Sequence, residues 1–286
     1  MSLDDRPVRS VLYIPGSKAR ALDKAAGLPT DAIIFDLEDA VAPDEKAAAR
    51  AMLGERLVEN AYGRRLTLLR VNGRDTDWGA EDLTVSKTMA IDGVLLPKVD
   101  GPDDLEAARA ISGDARFWAM IETARGVINA MAIADHPLMD GFVLGTNDLA
   151  KELGCRTTAD RAPLMASLQQ ALLAARAAGI LCVDGVFNAF RDEDGFRREC
   201  KAGRDLGMDG KTLIHPAQVE IANEVFAPGA ADIDLAERMI AAHEAALAEG
   251  QGVAVLDGRI VENLHVDTAR RVLAKASAIA AMAEEP

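Results

Sequence analysis

Cysteine is scarce in this chain and does not pair: Cys155, Cys182 and Cys200 lie in three different segments at no repeated spacing. An odd, scattered set argues against a disulfide framework and a cysteine-ligated zinc site, and reads as reduced thiols of a cytoplasmic protein. Long apolar runs are missing too. No stretch approaches the roughly 18 unbroken apolar residues of a membrane span, and the sequence does not open with a basic region leading into an apolar block. Positive charge is in deficit, with Lys plus Arg at 32, Asp plus Glu at 46 and a formal net charge of −14. That balance argues against a non-specific grip on nucleic acid. Trp78 and Trp118 are also too few and too far apart for a base-stacking platform. Any anionic ligand needs a local basic patch.

What is present is enough apolar sequence for a core, since 49% of residues are hydrophobic and they are spread along the chain. They come in short β-rich runs, each followed by an Ala-, Leu- and charge-rich stretch of helical character. The runs are VRSVLYIP from Val8, AIIFDLE from Ala32, LTLLRVN from Leu66, GVLLPKV from Gly93, FWAMIET from Phe117, GFVLGTND from Gly141, ILCVDGV from Ile180 and KTLIHP from Lys211. Eight strands alternating with helices predict an α/β fold, a (β/α)8 TIM barrel, whose ordinary size is about 250 residues. Near-continuous apolar strands suit a parallel sheet buried on both faces, and APLMASLQQALLAARAAG from Ala162 has the helical period of its outer layer. A doubly wound open sheet is the alternative, and it leaves two of the strands out. From Ala227 the pattern changes to a helix, a small hairpin turning at Asp257-Gly258 and a last helix. The expected division is a catalytic barrel over 1–226 and a C-terminal helix-hairpin-helix extension over 227–286.

In such a barrel the catalytic groups come from the C-terminal ends of the strands. Those ends are polar here: Asp36, Glu38 and Asp39 after the second strand, Arg70 and Asn72 at the third, Lys98 at the fourth, Glu122 at the fifth, Asn147 and Asp148 at the sixth and Asp184 at the seventh. Glu122 and Asp148 end neighbouring strands and set two carboxylates at one rim, with no cysteine or clustered histidine nearby. Oxygen-only ligands favour Mg2+ or Mn2+ over zinc, and Mg2+ commonly takes one or two protein carboxylates, with water and substrate completing its octahedron. The competing account is that each acid only caps the following helix. Glu is not a preferred cap, and capping explains one of Asp36, Glu38 and Asp39 more easily than all three.

Other signals are set aside. The Gly-Lys-Thr of GMDGKTLIHP has Asp205 where a P-loop needs its earlier glycine, and His243-Glu244 has Leu247 where a zinc protease needs its second histidine. No Gly-x-Ser-x-Gly nucleophile motif is present. His215 reads as bonding backbone near Pro216.

RSVLYIPG, IFDLEDAV, LLRVNG, LLPKV, IETARGVINA, GTNDLAKELG, KTLIHPAQV and LDGRIVENLHVDTARR follow one another over almost the whole chain. Together they resemble the citrate lyase beta subunit (CitE-like) family of the HpcH/HpaI aldolases, which includes malyl-CoA and citramalyl-CoA lyases. The resemblance implies a TIM barrel, a divalent metal (Mg2+ or Mn2+), and cleavage or formation of a carbon–carbon bond in a 3-hydroxyacyl-CoA thioester, giving acetyl-CoA and a 2-keto acid. It implies Glu122 and Asp148 as metal ligands, Arg70 as a substrate-binding and catalytic residue, and the backbone of Gly145, Thr146 and Asn147 as the holder of the keto-acid carboxylate. Asp257 matches the acid that a neighbouring subunit contributes through its C-terminal extension, and Lys18 and Arg20 resemble nucleotide-side contacts to CoA. Asp36, Glu38 and Asp39 would stand behind these, hydrogen-bonding metal-bound waters and orienting Arg70.

Alternatives stay open at this point. Asp-Gly is also the favoured dipeptide of a tight hairpin, and solvated surface charge accounts equally well for Lys18 and Arg20. A (3S)-malyl-CoA thioesterase could use the same scaffold. A citrate lyase beta subunit would act on a citryl group presented by an acyl-carrier protein, and the −14 charge speaks against docking so acidic a partner. An Asp257 shared across an interface predicts an oligomer, and the family resemblance implies a homotrimer or a pair of trimers.

Overall fold

In the computed structural model, which describes residues 6–283, the apolar runs are strands. They are β1 (Ser10–Pro15), β2 (Ala32–Asp36), β3 (Leu66–Arg70), β4 (Gly93–Leu96), β5 (Phe117–Ile121), β6 (Met139–Leu144), β7 (Leu181–Asp184) and β8 (Gly210–Leu213). Each pairs in parallel with the next, and β8 returns to β1 through Ser10↔Lys211, Val11↔Thr212 and Leu12↔Leu213. That last pairing closes a TIM barrel and overturns the open doubly wound sheet.

The connections are α1 (Ala19–Ala25), α2 (Lys46–Arg56), α3 (Gly79–Ser86), α4 (Pro102–Ser112), the short α5 (Ala124–Ile128) and α6 (Ala130–Ala134), α7 (Thr146–Leu153), α8 (Met165–Ala178), α9 (Glu193–Leu206) and α10 (Val219–Phe226). Strand alternation decides which side chains meet them. Leu12, Ile14, Ile33, Phe35, Leu69, Phe117, Ala119 and Ile121 belong to the buried cluster that contains the helix residues Leu22, Leu53 and Leu168. The residues between them therefore point into the barrel, and at its C-terminal mouth these are Tyr13, Asp36, Arg70, Met120 and, one residue past β5, Glu122. Register levels them: Pro15 is opposite Asp36, Asp36 opposite Arg70, and Ile121 opposite Leu144.

The chain divides into two compact units, Val8–Phe226 and a second that joins Arg6 and Pro7 to the stretch from Ala227 onward. The second holds α11 (Ala230–Ala248), an antiparallel pair of β9 (Ala254–Leu256) and β10 (Arg259–Val261), and α12 (Asn263–Ala283). Its small core is Ala246, Ala254, Val261 and Val266, with Met239, Ile240 and Leu256 against it. No described helix is long and apolar enough to cross a membrane.

Candidate active site

The barrel mouth encloses a cavity of about 290 Å3 whose walls include Tyr13, Asp36, Arg70, Glu122, Gly145 and Asp148. Arg70 is buried and its guanidinium is fixed on three sides. Nε donates to Asp36 Oδ1 at 2.7 Å and Nη2 to Asp36 Oδ2 at 2.6 Å, a bidentate pair. Nη1 lies 2.8 Å from Glu38 Oε2 and 3.7 Å from Asp39 Oδ2. The guanidinium carbon stands 4.9 Å from the centre of the Tyr13 ring. Burial works against the charge, but Asp36 outweighs it, with Glu38 adding, and holds the Arg70 pKa well above its ordinary value.

The acids after β2 divide their work. Asp36 accepts the N–H groups of Glu38 at 2.8 Å and Ala40 at 3.1 Å, so it both ties the following turn and holds Arg70. Glu38 sits between two cations, its Oε1 2.5 Å from Lys98 Nζ. Asp39, whose side chain is 66% exposed, is the outermost.

Glu122 is 1% exposed, and its Oε1 accepts the N–H of Lys98 at 2.9 Å. Burial raises its pKa to about 7; the Lys98 N–H opposes this and the neighbouring Glu38 and Asp148 add to it. Gly145 is a glycine of necessity, because an added Cβ would come within 2.3 Å of Glu122 Oε2. Gly145 bonds back to Ile121 O through its N–H at 3.1 Å, and α7 starts there. The first amides of α7 and the positive end of its dipole thus open on the cavity, where an anion is favoured. Asp148 belongs to the first turn of this helix instead of ending β6. The Asn147 and Asn188 amides bond each other at 2.8 Å.

The donor set fits a hard divalent cation. Glu122 and Asp148 both line the cavity, and among the described residues no group of three or more His, Cys, Asp or Glu could hold a metal ion. Two carboxylate ligands are what Mg2+ commonly takes. The acids Asp36, Glu38, Asp39, Glu122 and Asp148 gather here and outnumber the cations paired with them, Arg70 with Asp36 and Glu38 and Lys98 with Glu38. A divalent ion would offset most of that excess.

Residues 9–216 match the model of the HpcH/HpaI aldolase/citrate lyase family. The chain belongs to this family. It is 60% identical to a (3S)-malyl-CoA thioesterase of Cereibacter sphaeroides, over 98% of this chain and 99% of that one. It is 35% identical to the citrate lyase subunit beta of Escherichia coli, over 95% and 94%. Among solved structures, the protein CitE of Mycobacterium tuberculosis in complex with magnesium, acetoacetate and coenzyme A superposes with a TM-score of 0.82 at 28% identity, covering 96% of this chain and 99% of that one.

Some polar residues of this HpcH/HpaI chain lie away from the mouth. Asp184 points out of the barrel, as the membership of Cys182 in the helix-facing cluster requires by alternation. There it meets Lys211 Nζ at 3.0 Å and Arg161 Nη1 at 2.6 Å in a buried ionic group. Lys18 is exposed and 3.5 Å from Glu45, and neither Lys18 nor Arg20 lines the cavity. His215 accepts the N–H of Ala217 at 3.2 Å, the backbone role read from its position before Pro216. Asp257 occupies the β9–β10 turn at φ +51, followed by Gly258 at φ +76, as a two-residue hairpin requires. Its carboxylate is 63% exposed and pairs with Arg238.

Tyr13 and Met120 are the residues that a search of polar strand ends passes over, while Lys98 stands among those strand ends without an assigned role. Lys98 also lines a second cavity of about 450 Å3, along with Arg74, Leu83 and Ile111.

Proposed function

We propose that this protein hydrolyses the thioester of a short 3-hydroxyacyl-CoA of the (3S)-malyl-CoA type, releasing the hydroxy acid and the CoA thiol. The observation that carries the reading is the 60% identity, along nearly the full length of both chains, to proteins named (3S)-malyl-CoA thioesterase. It supports hydrolysis over the carbon–carbon cleavage favoured by motifs alone. Glu122 and Asp148 are the proposed ligands of Mg2+, which when bound would act as Lewis acid and template for the substrate's oxygens.

The chain's own residues then have the following tasks. A guanidinium has five N–H donors; Arg70 gives two to Asp36 and one to the Met120 sulfur at 3.7 Å, and Nη1 also faces Glu38, so the second N–H of Nη2 is left for substrate. Addition of water to the thioester carbon puts negative charge on the carbonyl oxygen, and a permanently charged, preorganised Arg70 stabilises that oxygen by a few kcal/mol. The opening turn of α7, at Gly145, Thr146 and Asn147, takes the substrate carboxylate. The aliphatic hydroxyls on the cavity wall are those of Thr146 and Thr212, with no serine or cysteine; water is taken as the attacking group, with Asp39 on the wall the carboxylate placed to accept its proton and return it to the departing CoA thiolate. Arg74 on the larger cavity supplies local positive charge for the CoA phosphates, with Lys18 and Arg20 outside it.

Carbon–carbon lysis is the second reading, supported by the family itself and by the 35% identity to citrate lyase subunit beta. There the same thioester oxygen becomes an enolate oxygen, so Arg70 serves both reactions. The difference lies in which bond breaks and in a proton acceptor or donor at carbon, for which Asp257 of a neighbouring copy is the candidate.

The deciding assay incubates purified protein and Mg2+ with malyl-CoA, with citramalyl-CoA and citryl-CoA in parallel, and measures free thiol and keto acid separately. Thiol with malate is the expected result. Keto acid without thiol would replace hydrolysis by lysis. No product from any of the three would overturn both and direct attention to a carrier-bound citryl substrate.

A further inference from the structure

Lys98 holds a backbone conformation that its side chain does not favour. It lies two residues past β4 at φ +49, in the left-handed region that a residue with a Cβ enters only at a cost. Glycine would enter it freely. In this conformation the Lys98 N–H donates to Glu122 Oε1 at 2.9 Å, and Nζ reaches Glu38 Oε1 at 2.5 Å. The other oxygen of Glu38 is 2.8 Å from Arg70 Nη1. The other oxygen of Glu122 lies against Gly145 on the cavity wall. One residue thus touches both halves of the site, the carboxylate proposed for the metal and the acid that braces the arginine.

We propose that Lys98 is a positioning residue with two arms: its backbone amide turns Glu122 so that Oε2 is presented to the metal, and its ammonium fixes the Glu38–Arg70 pair that stabilises charge on the substrate. The first arm rests on the reading of Glu122 as a metal ligand. A Lys98 that merely balanced the charge of Glu38 would need no left-handed backbone, and one that merely made a turn would need no ammonium within reach of Glu38.

The arms are separable by substitution in the full-length protein. Lys98→Gly and Lys98→Val both remove the ammonium, but glycine keeps the left-handed conformation and a β-branched side chain resists it. Mn2+ binding, followed by the spin-resonance signal of the free ion, reports the backbone arm without any turnover. Lys98→Gly is expected to bind Mn2+ within about threefold of wild type, and Lys98→Val to lose about tenfold or more, the usual scale for a residue that orients a ligand. If Lys98→Val does not fold, as judged by circular dichroism, Lys98→Ala makes the same comparison more gently. Equal Mn2+ binding by the glycine variant and its non-glycine counterpart overturns the backbone arm.

Turnover reports the ammonium. Lys98→Gly is expected to lose about tenfold or more in kcat with KM changed less than about threefold, and Lys98→Arg, which can still reach Glu38, to recover most of the loss. An arginine variant as slow as the glycine variant, or a glycine variant as fast as wild type, overturns this arm. If wild type turns over none of the CoA thioesters, the functional reading fails while the Mn2+ comparison still decides the role of the backbone. If wild type binds no Mn2+, the metal reading fails and takes the backbone arm with it.

Discussion

Two residues at the mouth have consequences that differ in sign with pH or substitution. Arg70 is held by a bidentate Asp36, and its remaining donors are aimed by that grip. Arg70→Lys keeps a positive charge but loses the planar fork, so kcat/KM is expected to fall by about 100-fold or more, equivalent to roughly 3 kcal/mol. Steady-state kinetics with malyl-CoA checks this, and a loss below tenfold would reduce Arg70 to a point charge. Glu122 has an ordinary value of 4.5 and is raised by burial to about 7 in the metal-free protein. Between those two values the folded chain keeps a proton that the unfolded chain has released. Stability therefore falls as pH rises through this window, by up to about 3 kcal/mol. Urea melts of the metal-free protein at pH 5 and pH 7.5 are expected to show that slope, and Glu122→Gln to remove most of it. Since the metal takes the carboxylate, Mg2+ affinity is expected to weaken about tenfold per pH unit below 7.

At the scale of elements, the strands were legible because each is a short apolar run bounded by turn residues, and the barrel followed from their number. Residue parity within a strand carries further information that strand ends alone do not. Asp184 and Glu122 both stand at the end of an apolar run, yet Glu122 shares the inward phase of Met120 while Asp184 has the outward phase of Cys182. Counting in twos from the residues that pack on helices would have sent Asp184 out of the site and brought Tyr13 and Met120 into it. Arg161 had no local signal at all, because it reaches Asp184 from the loop before α8, and only closure of the fold brings them together. Their partner Lys211 is fully buried and joins β8 to β7 through Asp184, with Glu199 of α9 at 2.7 Å. Removing one member of such a group strands the charges of the others. Lys211→Met is expected to destabilise the barrel by about 3 to 5 kcal/mol. Its midpoint in urea should drop accordingly, and a change under 1 kcal/mol would mean that water or local movement compensates Asp184.

For the whole molecule, the question is whether one chain owns a complete site. Asp257 stands in the second compact unit, at the tip of a hairpin, exposed and paired with Arg238. Left-handed turn geometry accounts for its position; the proton-transfer role proposed for it in carbon–carbon lysis would further require that it reach a barrel mouth. A shared site answers that, and it demands oligomers: a homotrimer of 30.4 kDa chains has a mass of about 91 kDa, and a pair of trimers twice that, measurable by light scattering. Mass alone does not show sharing, whereas complementation does. If carbon–carbon lysis is the reaction, Asp257→Asn and Glu122→Gln are each expected to be inactive when assayed alone. Co-expressed in equal amounts, they would randomly assemble so that about a quarter of the sites combine an intact Glu122 with an intact Asp257 from the adjoining copy. Recovery of about a quarter of wild-type turnover is therefore the expected result. If Asp257 serves its own chain, no mixed assembly regains an intact site and activity stays absent. If Asp257→Asn alone is fully active, the residue is a turn former only, and the barrel mouth carries the reaction without it.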